Sequence, residues 1–147
     1  MEIREISQLF YKIKISNQET TSFFEKETGF SLTRYQMMLF LKENGKCLQS
    51  QIQSELKIDR SAVTRHLKVL EEKNYVTRER NEINNREIFV YLTDKAHSDL
   101  DCCEKKHNAL QQPLNISLNT EEAEQLSYLL TKLLNQTETE RGSNDAK

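Results

Sequence analysis

The stretch that decides the fold of this chain is LQSQIQSELKIDRSAVTRHLKVLEEKNYVTRERNEINNREIFVYL, residues 48–92. Its apolar residues recur at helical spacing, which predicts a short helix over Gln49–Leu56 and a second helix over residues 60–73. The inward stripe of the second helix is expected to consist of Ala62, Val63, Leu67 and Leu70. Asp59 is expected to cap the second helix by accepting from its first free backbone N–H groups. Asn74 tolerates the left-handed conformation that ends a helix. Two helices joined by so short a connection have the pattern of a helix-turn-helix.

Two short strands are predicted after these helices. Apolar and polar residues alternate over Tyr75–Arg80 and over Glu87–Leu92, which is typical of strands with one buried face. The segment between them, residues 81–86, is polar and rich in Asn, as the tip of a hairpin requires. A helix fits the major groove of B-DNA, and a basic hairpin beside it can reach the minor groove. The order of elements therefore predicts a winged helix that binds double-stranded DNA.

The second helix carries polar side chains suited to DNA on the face opposite its apolar stripe. This polar face consists of Arg60, Ser61, Thr64, Arg65 and Lys68. Arg can bind guanine in bidentate fashion, and Ser and Thr adapt to either base type. We expect the first four to read or approach bases, and Lys68, with Gln49 of the first helix, to lie near phosphates. An ordinary solvated face is the alternative, and the flanking elements favour DNA binding.

Three arginines lie on or beside the predicted hairpin: Arg78, Arg80 and Arg86. We interpret them as part of a basic wing, with Arg80 and Arg86 among the candidate DNA-binding residues. The alternative interpretation is ordinary surface charge, with ion pairs to Glu82 or Glu87.

The chain resembles the MarR family of winged-helix transcription regulators. The matching segments are LQSQIQSEL (48–56), RSAVTRHLKVLEEKNYVTR (60–78) and NNREIFVYLTDKA (84–96). The family's wing pattern is Asp-x-Arg followed by a hydrophobic strand that ends Leu-Thr-x-x-Gly. Here Asn84 stands in place of the Asp, and Ala96 stands in place of the Gly. The resemblance implies that Arg86 enters the minor groove.

The resemblance also implies the architecture, which is mainly α with a small β-wing: a winged helix-turn-helix with N- and C-terminal dimerisation helices. We expect one MarR-like domain over residues 1–147, with the winged-helix DNA-binding lobe at 32–93. The dimerisation helices are expected at 1–28 and 94–137, followed by a flexible tail at 138–147. The function implied is that of a cytoplasmic repressor that responds to a ligand.

Apolar stripes at both ends of the chain indicate a homodimer. They consist of Ile3, Ile6, Phe10 and Ile13 near the N-terminus, and of Leu126, Leu129, Leu130, Leu133 and Leu134 near the C-terminus. Asn119 and Glu122 are expected to form a capping box ahead of the second stripe. The stripes could instead close the core of a monomer, but the resemblance implies that they interlock across a dimer. Such a dimer would bind a pseudo-palindromic operator with half-sites about one helical turn apart.

Helix ends and a ligand pocket are expected between these parts. Gly29 and Asn44–Gly45 are each expected to end a helix. Thr33 with Gln36 is expected to form a capping box, and the helix after Thr93 is predicted to extend toward Gln112.

By the resemblance, a small aromatic or anionic effector would bind where the terminal helices meet the winged lobe. The candidate lining residues are Phe23, Phe24, Tyr35 and Met38. Core packing is the alternative role for these side chains.

Composition agrees with a small helical domain that has a basic lobe. The chain has 147 residues and a formal net charge of −2. Residues 46–92 hold nine Lys/Arg and seven Asp/Glu, hence +2, whereas the remainder holds twelve and sixteen, hence −4. A modest local positive field is compatible with DNA binding. No apolar run approaches the ~20 residues that span a membrane, and the N-terminus does not resemble a secretion signal.

The chain has three cysteines. The odd number of cysteines, Cys47, Cys102 and Cys103, argues against structural disulfides. Cys47 follows Lys46 at a predicted helix start, so it has either a lowered thiol pKa or the role of a small buried hydrophobe.

Cys103 and His107 are spaced i, i+4, with His97, Asp101 and Glu104 near them, but zinc would need further ligands. No metal or other cofactor is therefore expected. The sequence has no phosphate-binding loop, HExxH or GxSxG, so no enzyme is expected. The alternatives left open are a winged-helix protein-interaction module and a metal- or redox-sensing regulator.

Overall fold

The structure is a computed structural model, and it describes residues 1–108 and 114–145. The chain divides into two compact units, Met1–Pro113 and Leu114–Lys147, and each is described by itself. The first unit contains α1 (Ile3–Thr28), α2 (Leu32–Asn44), β1 (Cys47–Leu48), α3 (Gln49–Leu56), α4 (Arg60–Glu72), β2 (Val76–Arg80), β3 (Ile88–Leu92) and α5 (Asp94–Asn108). The second unit contains α6 (Thr120–Asp145). The prediction of a mainly α fold with a small β-wing is confirmed.

The wing is part of a three-stranded antiparallel sheet in the order β1-β3-β2. Strands β2 and β3 pair from Val76 opposite Leu92 to Arg80 opposite Ile88, as the alternation predicted. Strand β1 was not predicted, because Cys47 was expected at a helix start. Cys47 instead pairs with Val90, since Gly45 at φ 72° redirects the chain after α2 and leaves the next residues extended beside β3.

Two predicted caps differ from the structure. Helix α2 begins at Leu32 and its N-cap is Ser31, whose side chain accepts from Arg34 N at 3.5 Å. The expected Thr33 capping box is therefore wrong, because the helix starts before that residue. Asp59 does precede α4, but its side chain makes no capping hydrogen bond. Its carbonyl oxygen accepts from Val63 N at 2.9 Å and so begins the helical hydrogen bonding.

The predicted helix stops are confirmed. Gly29 ends α1 with φ 77° and donates its N–H to Glu25 O, and Gly45 ends α2 by donating to Leu41 O. Asn74, at φ 63°, adopts the left-handed conformation after α4. These positions favour Gly or Asn because an ordinary side chain crowds the backbone at positive φ.

The core of the first unit lies between α2, α3, α4, the sheet and one residue of α5. Its buried members are Met37, Met38, Leu41, Cys47, Ile52, Val63, Leu67, Leu70, Val76, Val90 and Leu100. Three of them form the inward stripe that the sequence predicted for α4. Ala62, also expected in that stripe, is half-buried. Burial of this stripe fixes which face of α4 is turned toward solvent.

Helix α5 is joined to the winged lobe by polar contacts. Thr93 Oγ1 donates to Asn74 O at 2.7 Å and accepts from Ala96 N at 3.2 Å. Tyr75 donates its hydroxyl to Asp99 Oδ2 at 2.8 Å. Ala96, in place of the Gly of the MarR pattern, is fully buried. The predicted extension of this helix toward Gln112 lies outside the described residues.

The second unit begins with the predicted capping box. Glu122 N donates to Asn119 Oδ1 at 2.8 Å, and Asn119 N donates to Glu122 Oε1 at 3.1 Å. Helix α6 continues to Asp145, past residue 137 where a flexible tail was expected. No proline interrupts residues 138–145, so nothing there removes a backbone donor from the helix. The assignment of one domain with dimerisation helices stays a prediction.

Helices α1 and α6 keep large apolar side chains in solvent within their own units. Phe10 is 54% exposed, Leu129 52% and Leu134 53%, and α1 has no buried residue. Within residues 1–108 and 114–145, no helix has the length and apolar character needed to cross a membrane.

We predict that Leu67→Ala lowers the free energy of unfolding by about 2–5 kcal/mol, because the truncation leaves a cavity in a close-packed core. Leu67 is fully buried. The measurement is urea-induced unfolding followed by circular dichroism. Lys68→Ala is the matched control, since Lys68 is exposed on the same helix and its loss should stay within about 0.5 kcal/mol. Equal effects of the two changes would contradict the burial of the α4 stripe.

Candidate nucleic-acid interface

A groove of about 720 Å³ lies between the helix-turn-helix and the wing. Its lining residues are Gln49, Ser50, Gln53, Arg60, Arg80, Asn85, Arg86, Glu87 and Ile88. Four of the predicted DNA-binding residues, from α3, α4 and the wing, therefore meet at one concave surface. The sequence predicted these residues separately, and the packing of the wing beside the helices brings them together.

The outer face of α4 is as the sequence predicted. Arg60, Ser61, Thr64, Arg65 and Lys68 are all exposed. They lie opposite the buried stripe of the same helix, so they are directed to solvent by the packing of that stripe. Within the described part of the chain, the guanidinium groups of Arg60 and Arg65 make no hydrogen bond or ion pair with another side chain. Two cations are thus available for anionic or polar groups outside the protein.

Thr64 and Gln49 make a contact that sequence reasoning missed. Gln49 Nε2 donates to Thr64 Oγ1 at 2.8 Å, which joins the start of α3 to the middle of α4. Thr64 Oγ1 in turn donates to Arg60 O at 3.0 Å. The only hydroxyl hydrogen of Thr64 is used within the helix, so Thr64 can only accept from a base. No sequence period connects these two residues, since the contact depends on how α3 crosses α4.

One oxygen in this network lacks a partner. Gln49 Oε1 is buried and accepts no hydrogen bond from the described residues. A buried acceptor without a donor is unfavourable by about 1–3 kcal/mol. It belongs to a residue whose other atoms line the groove.

The hairpin tip is held by its own polar side chains. Asn81 N donates to Glu87 O at 2.9 Å, and Asn81 Nδ2 donates to Glu87 Oε2 at 3.1 Å. Asn84 Oδ1 accepts from Arg86 N at 3.2 Å. Asn84, where the MarR pattern has Asp, thus fixes the backbone of Arg86. The Arg86 side chain is exposed and makes no hydrogen bond or ion pair to the residues that the structure describes.

The other two wing arginines have intramolecular partners. Arg78 binds both carboxylate oxygens of Glu71 at 3.1 Å, and this pairing lowers the pKa of Glu71. Arg78 is therefore a surface charge held in an ion pair, as the alternative interpretation stated. Its carboxylate partner, however, lies on α4 and not in the hairpin. Arg80 Nη1 donates to Asn85 O at 3.2 Å across the hairpin, which stiffens the wing at the edge of the groove.

His66 is a second feature that sequence reasoning missed. Its Nδ1 lies 3.3 Å from Nη1 of Arg34, a residue of α2. Because a guanidinium only donates, Nδ1 acts as the acceptor and the ring is neutral. Burial, followed by the charges of Arg34 and Arg65, lowers the pKa of His66 below its ordinary value of 6.5.

The ligand pocket expected among Phe23, Phe24, Tyr35 and Met38 stays a prediction. Phe24 and Tyr35 pack edge to face with ring centroids 5.2 Å apart, and Phe23 is 38% exposed. Met38 belongs to the core, but it also lines a cavity of about 270 Å³ in the first unit. The other lining residues are Thr28, Gly29, Phe30, Ser31, Arg34, Leu70, Lys73 and Tyr75.

Cys47 and Cys103 are shielded from solvent to different degrees, and the acidic residues near Cys103 contact a lysine. Cys47 is a small buried hydrophobe, and burial raises its pKa, so the idea of an activated thiol is wrong for this residue. Burial also raises the pKa of Cys103. Asp101 and Glu104 lie 2.9 and 3.6 Å from Lys42 Nζ. Across residues 1–108 and 114–145, no three His, Cys, Asp or Glu residues are grouped to hold a metal ion.

The elements and their groove define a winged helix-turn-helix protein, with α4 in the position of the recognition helix. The family described as Transcriptional regulator SarA/Rot matches residues 19–103. The chain is 30% identical over 131 residues to the HTH-type transcriptional regulator YdgJ of Bacillus subtilis, with 89% of this chain and 80% of YdgJ covered. It is 26% identical over 110 residues to the HTH-type transcriptional regulator MgrA of Staphylococcus aureus, with 74% and 73% covered.

The fold is shared with two solved structures. A mutant of MarR from E. coli complexed with operator DNA aligns with a TM-score of 0.75, 24% identity and coverage of 91% of this chain and 99% of MarR. Reduced AbfR bound to DNA aligns with a TM-score of 0.76, 22% identity and coverage of 92% and 95%. The chain therefore belongs to the SarA/Rot family of transcriptional regulators and has the MarR-type winged-helix fold, which confirms the predicted resemblance.

We predict that the stability of the protein falls as the pH is lowered from about 6.5, the ordinary pKa of His. Unfolded His66 then takes up a proton that native His66, with its lowered pKa, does not bind. Stability is therefore lost from 6.5 down to the native pKa and is constant with respect to this group below it.

The measurement is urea unfolding at a series of pH values between 5 and 7.5. This range lies above the ordinary pKa of the carboxylates whose pKa is lowered, Glu71, Glu79 and Asp101. His66→Gln should flatten the dependence. An unchanged slope in His66→Gln would show that His66 is not its source.

Proposed function

We propose that this protein binds a pseudo-palindromic DNA operator as a homodimer and represses transcription there. The observation that carries the proposal is the groove, where Arg60 of α4 and Arg86 of the wing approach from two sides with no side-chain partner among the described residues. A recognition helix and a wing arranged in this way fit the major groove and the adjacent minor groove.

The residues take different roles in the proposal. Arg60, Ser61 and Arg65 are assigned to base edges, since they are exposed near the start of α4, where recognition helices contact bases. Thr64 accepts from a base, because its hydrogen is already donated to the Arg60 carbonyl oxygen. Lys68 neutralises a phosphate. Arg86 enters the minor groove, and Arg80 supports the wing at the edge of the groove.

Gln49 receives a role different from the phosphate contact that the sequence suggested. Its amide nitrogen is bonded to Thr64, so the side chain fixes α3 against α4. Its unpartnered oxygen can accept from a backbone or side-chain donor that moves when DNA fills the groove. We therefore assign Gln49 to positioning of the recognition helix.

Charge and exposed apolar surface support the dimer. The winged lobe has a net charge near +2 over residues 46–92, which gives weak non-specific affinity because affinity rises with the number of phosphates neutralised. Two lobes on one operator would supply the missing affinity. The exposed apolar side chains of α1 and α6 are the surfaces proposed to pack against a second copy. The proposal places the protein in the cytoplasm, where bacterial operators lie.

Selection of bound sequences from a random duplex pool at stated salt tests the proposal. We expect recovery of one pseudo-palindrome with half-sites about one helical turn apart, bound by a dimer in analytical ultracentrifugation. Two single variants sharpen the result. Arg65→Ala should weaken binding to the selected site by about 1–3 kcal/mol and relax its base preference.

Lys68→Ala is the contrasting variant, which should weaken binding to all sequences alike and reduce the salt dependence by about one phosphate contact. If a folded dimer enriches no sequence, DNA reading is refuted and the protein-interaction module gains support. If Arg65→Ala keeps the full base preference, the assignment of Arg65 fails.

We also propose that a small aromatic anion regulates the protein through the 270 Å³ cavity. Its walls include the rings of Phe30 and Tyr75, and it is also lined by Arg34 and Lys73, two cations. The volume is near the lower limit of small-molecule sites, so a single-ring compound fits best. Lys73 also ends α4, so a ligand held there would act on the recognition helix.

Isothermal titration with benzoate and with cyclohexanol tests this cavity. We expect benzoate to bind and to weaken operator binding, because it supplies both a ring and a charge. Lys73→Gln should reduce benzoate affinity several-fold, by loss of one ion pair. Tight binding of cyclohexanol with none of benzoate would overturn the anionic assignment.

A further inference from the structure

The tip of the wing presents a large apolar side chain to solvent. Ile83 is 97% exposed, the highest value among the large apolar residues that the structure describes. It lies in a segment of otherwise polar residues, 81–86, where turn chemistry favours Asn, Asp and Gly. A β-branched apolar residue is unfavourable there on local grounds, and the described residues leave it almost uncovered.

The backbone of this residue is fixed before any partner arrives. Asn81 Oδ1 accepts from Ile83 N at 3.1 Å. The neighbouring Asn84 is held on the other side, because its carbonyl oxygen accepts from Glu87 N at 3.0 Å and its side chain accepts from Arg86 N. Ile83 is thus carried by a loop whose polar groups bond to one another. A preorganised contact residue loses little conformational entropy on binding.

The position of Ile83 indicates what it touches. It precedes Arg86 by three residues in a loop whose Asn85 and Arg86 line the groove. The phosphate ridge is an unfavourable target for Ile83, because an uncharged side chain neutralises no phosphate. The interior of the minor groove is walled by deoxyribose C–H groups, and its width of about 6 Å admits one aliphatic side chain.

We propose that Ile83 enters the minor groove beside Arg86 and packs against its sugar walls, so that the wing selects base pairs that lack the guanine 2-amino group. That amino group projects from the floor of the groove and is what distinguishes G·C from A·T pairs there. A side chain filling the groove at this level clashes with it and leaves it without a hydrogen-bond acceptor. This inference rests on the proposed function, because it requires operator binding.

Base analogues test the inference. The operator found by selection is prepared with A·T, G·C or inosine·cytosine at each pair beneath the wings. Inosine lacks the 2-amino group, so its pair resembles A·T in the minor groove and G·C in the major groove. We expect the wild-type protein to bind the G·C version about tenfold more weakly than A·T, a typical cost of one wrong base pair, and to regain affinity with inosine.

Ile83→Ala should remove this discrimination. It should bind the A·T and inosine versions about tenfold more weakly than the wild type, through loss of apolar contact, and should bind all three versions alike. Ile83→Val should keep most of the preference. Thermal unfolding should be unchanged in both variants, because Ile83 is almost fully exposed, so altered binding cannot be attributed to misfolding.

Glu82→Gln is the matched control on the same loop. Removal of its charge should raise affinity for all three DNAs equally, with the gain lost at high salt. If Ile83→Ala still prefers A·T and inosine over G·C, the inference is overturned while the proposed function stands. If the wild-type protein binds no duplex, the proposed function itself fails.

Discussion

Burial of the apolar stripe of α4 is the constraint on which the rest of the structure depends. Val63, Leu67 and Leu70 are at most 2% exposed and pack with Ile52 of α3 and Val90 of the central strand. Only one rotation of a helix about its own axis buries such a stripe against the core. Because that rotation is fixed from inside, the polar residues on the opposite face are presented to solvent, and the bond from Gln49 to Thr64 adds one contact on the outer side.

The sheet extends this constraint to the wing. Val90 pairs with Cys47 on one side and with Arg78 on the other, so the central strand, whose Val90 belongs to the core, also forms one side of the hairpin. Arg78 closes the arrangement by its two bonds to Glu71 of α4. Contacts at both ends of this arrangement thus join the recognition helix to the wing.

The same lobe has a polar attachment to α5 and an aromatic cavity near the end of α4. Tyr75 takes part in both, since its ring lines the cavity and its hydroxyl bonds to Asp99 of α5. Lys95 adds a contact of 4.9 Å over the same ring. A ligand that displaced this ring would disturb the joint between the winged lobe and α5, which gives the proposed regulation a physical route.

The sequence suffices to predict the helices, the two hairpin strands, their order and the outward face of α4, because each depends on periodicity or on a local signal such as Gly29, Gly45 or Asn74. It did not reveal strand β1 or the bond between Gln49 and Thr64. It also missed the Arg34–His66 contact and the chain segments that enclose the 270 Å³ cavity. These features join residues far apart in the chain. Only the tertiary structure decided them, since the crossing of helices and the pairing of strands leave no periodic trace in a single sequence.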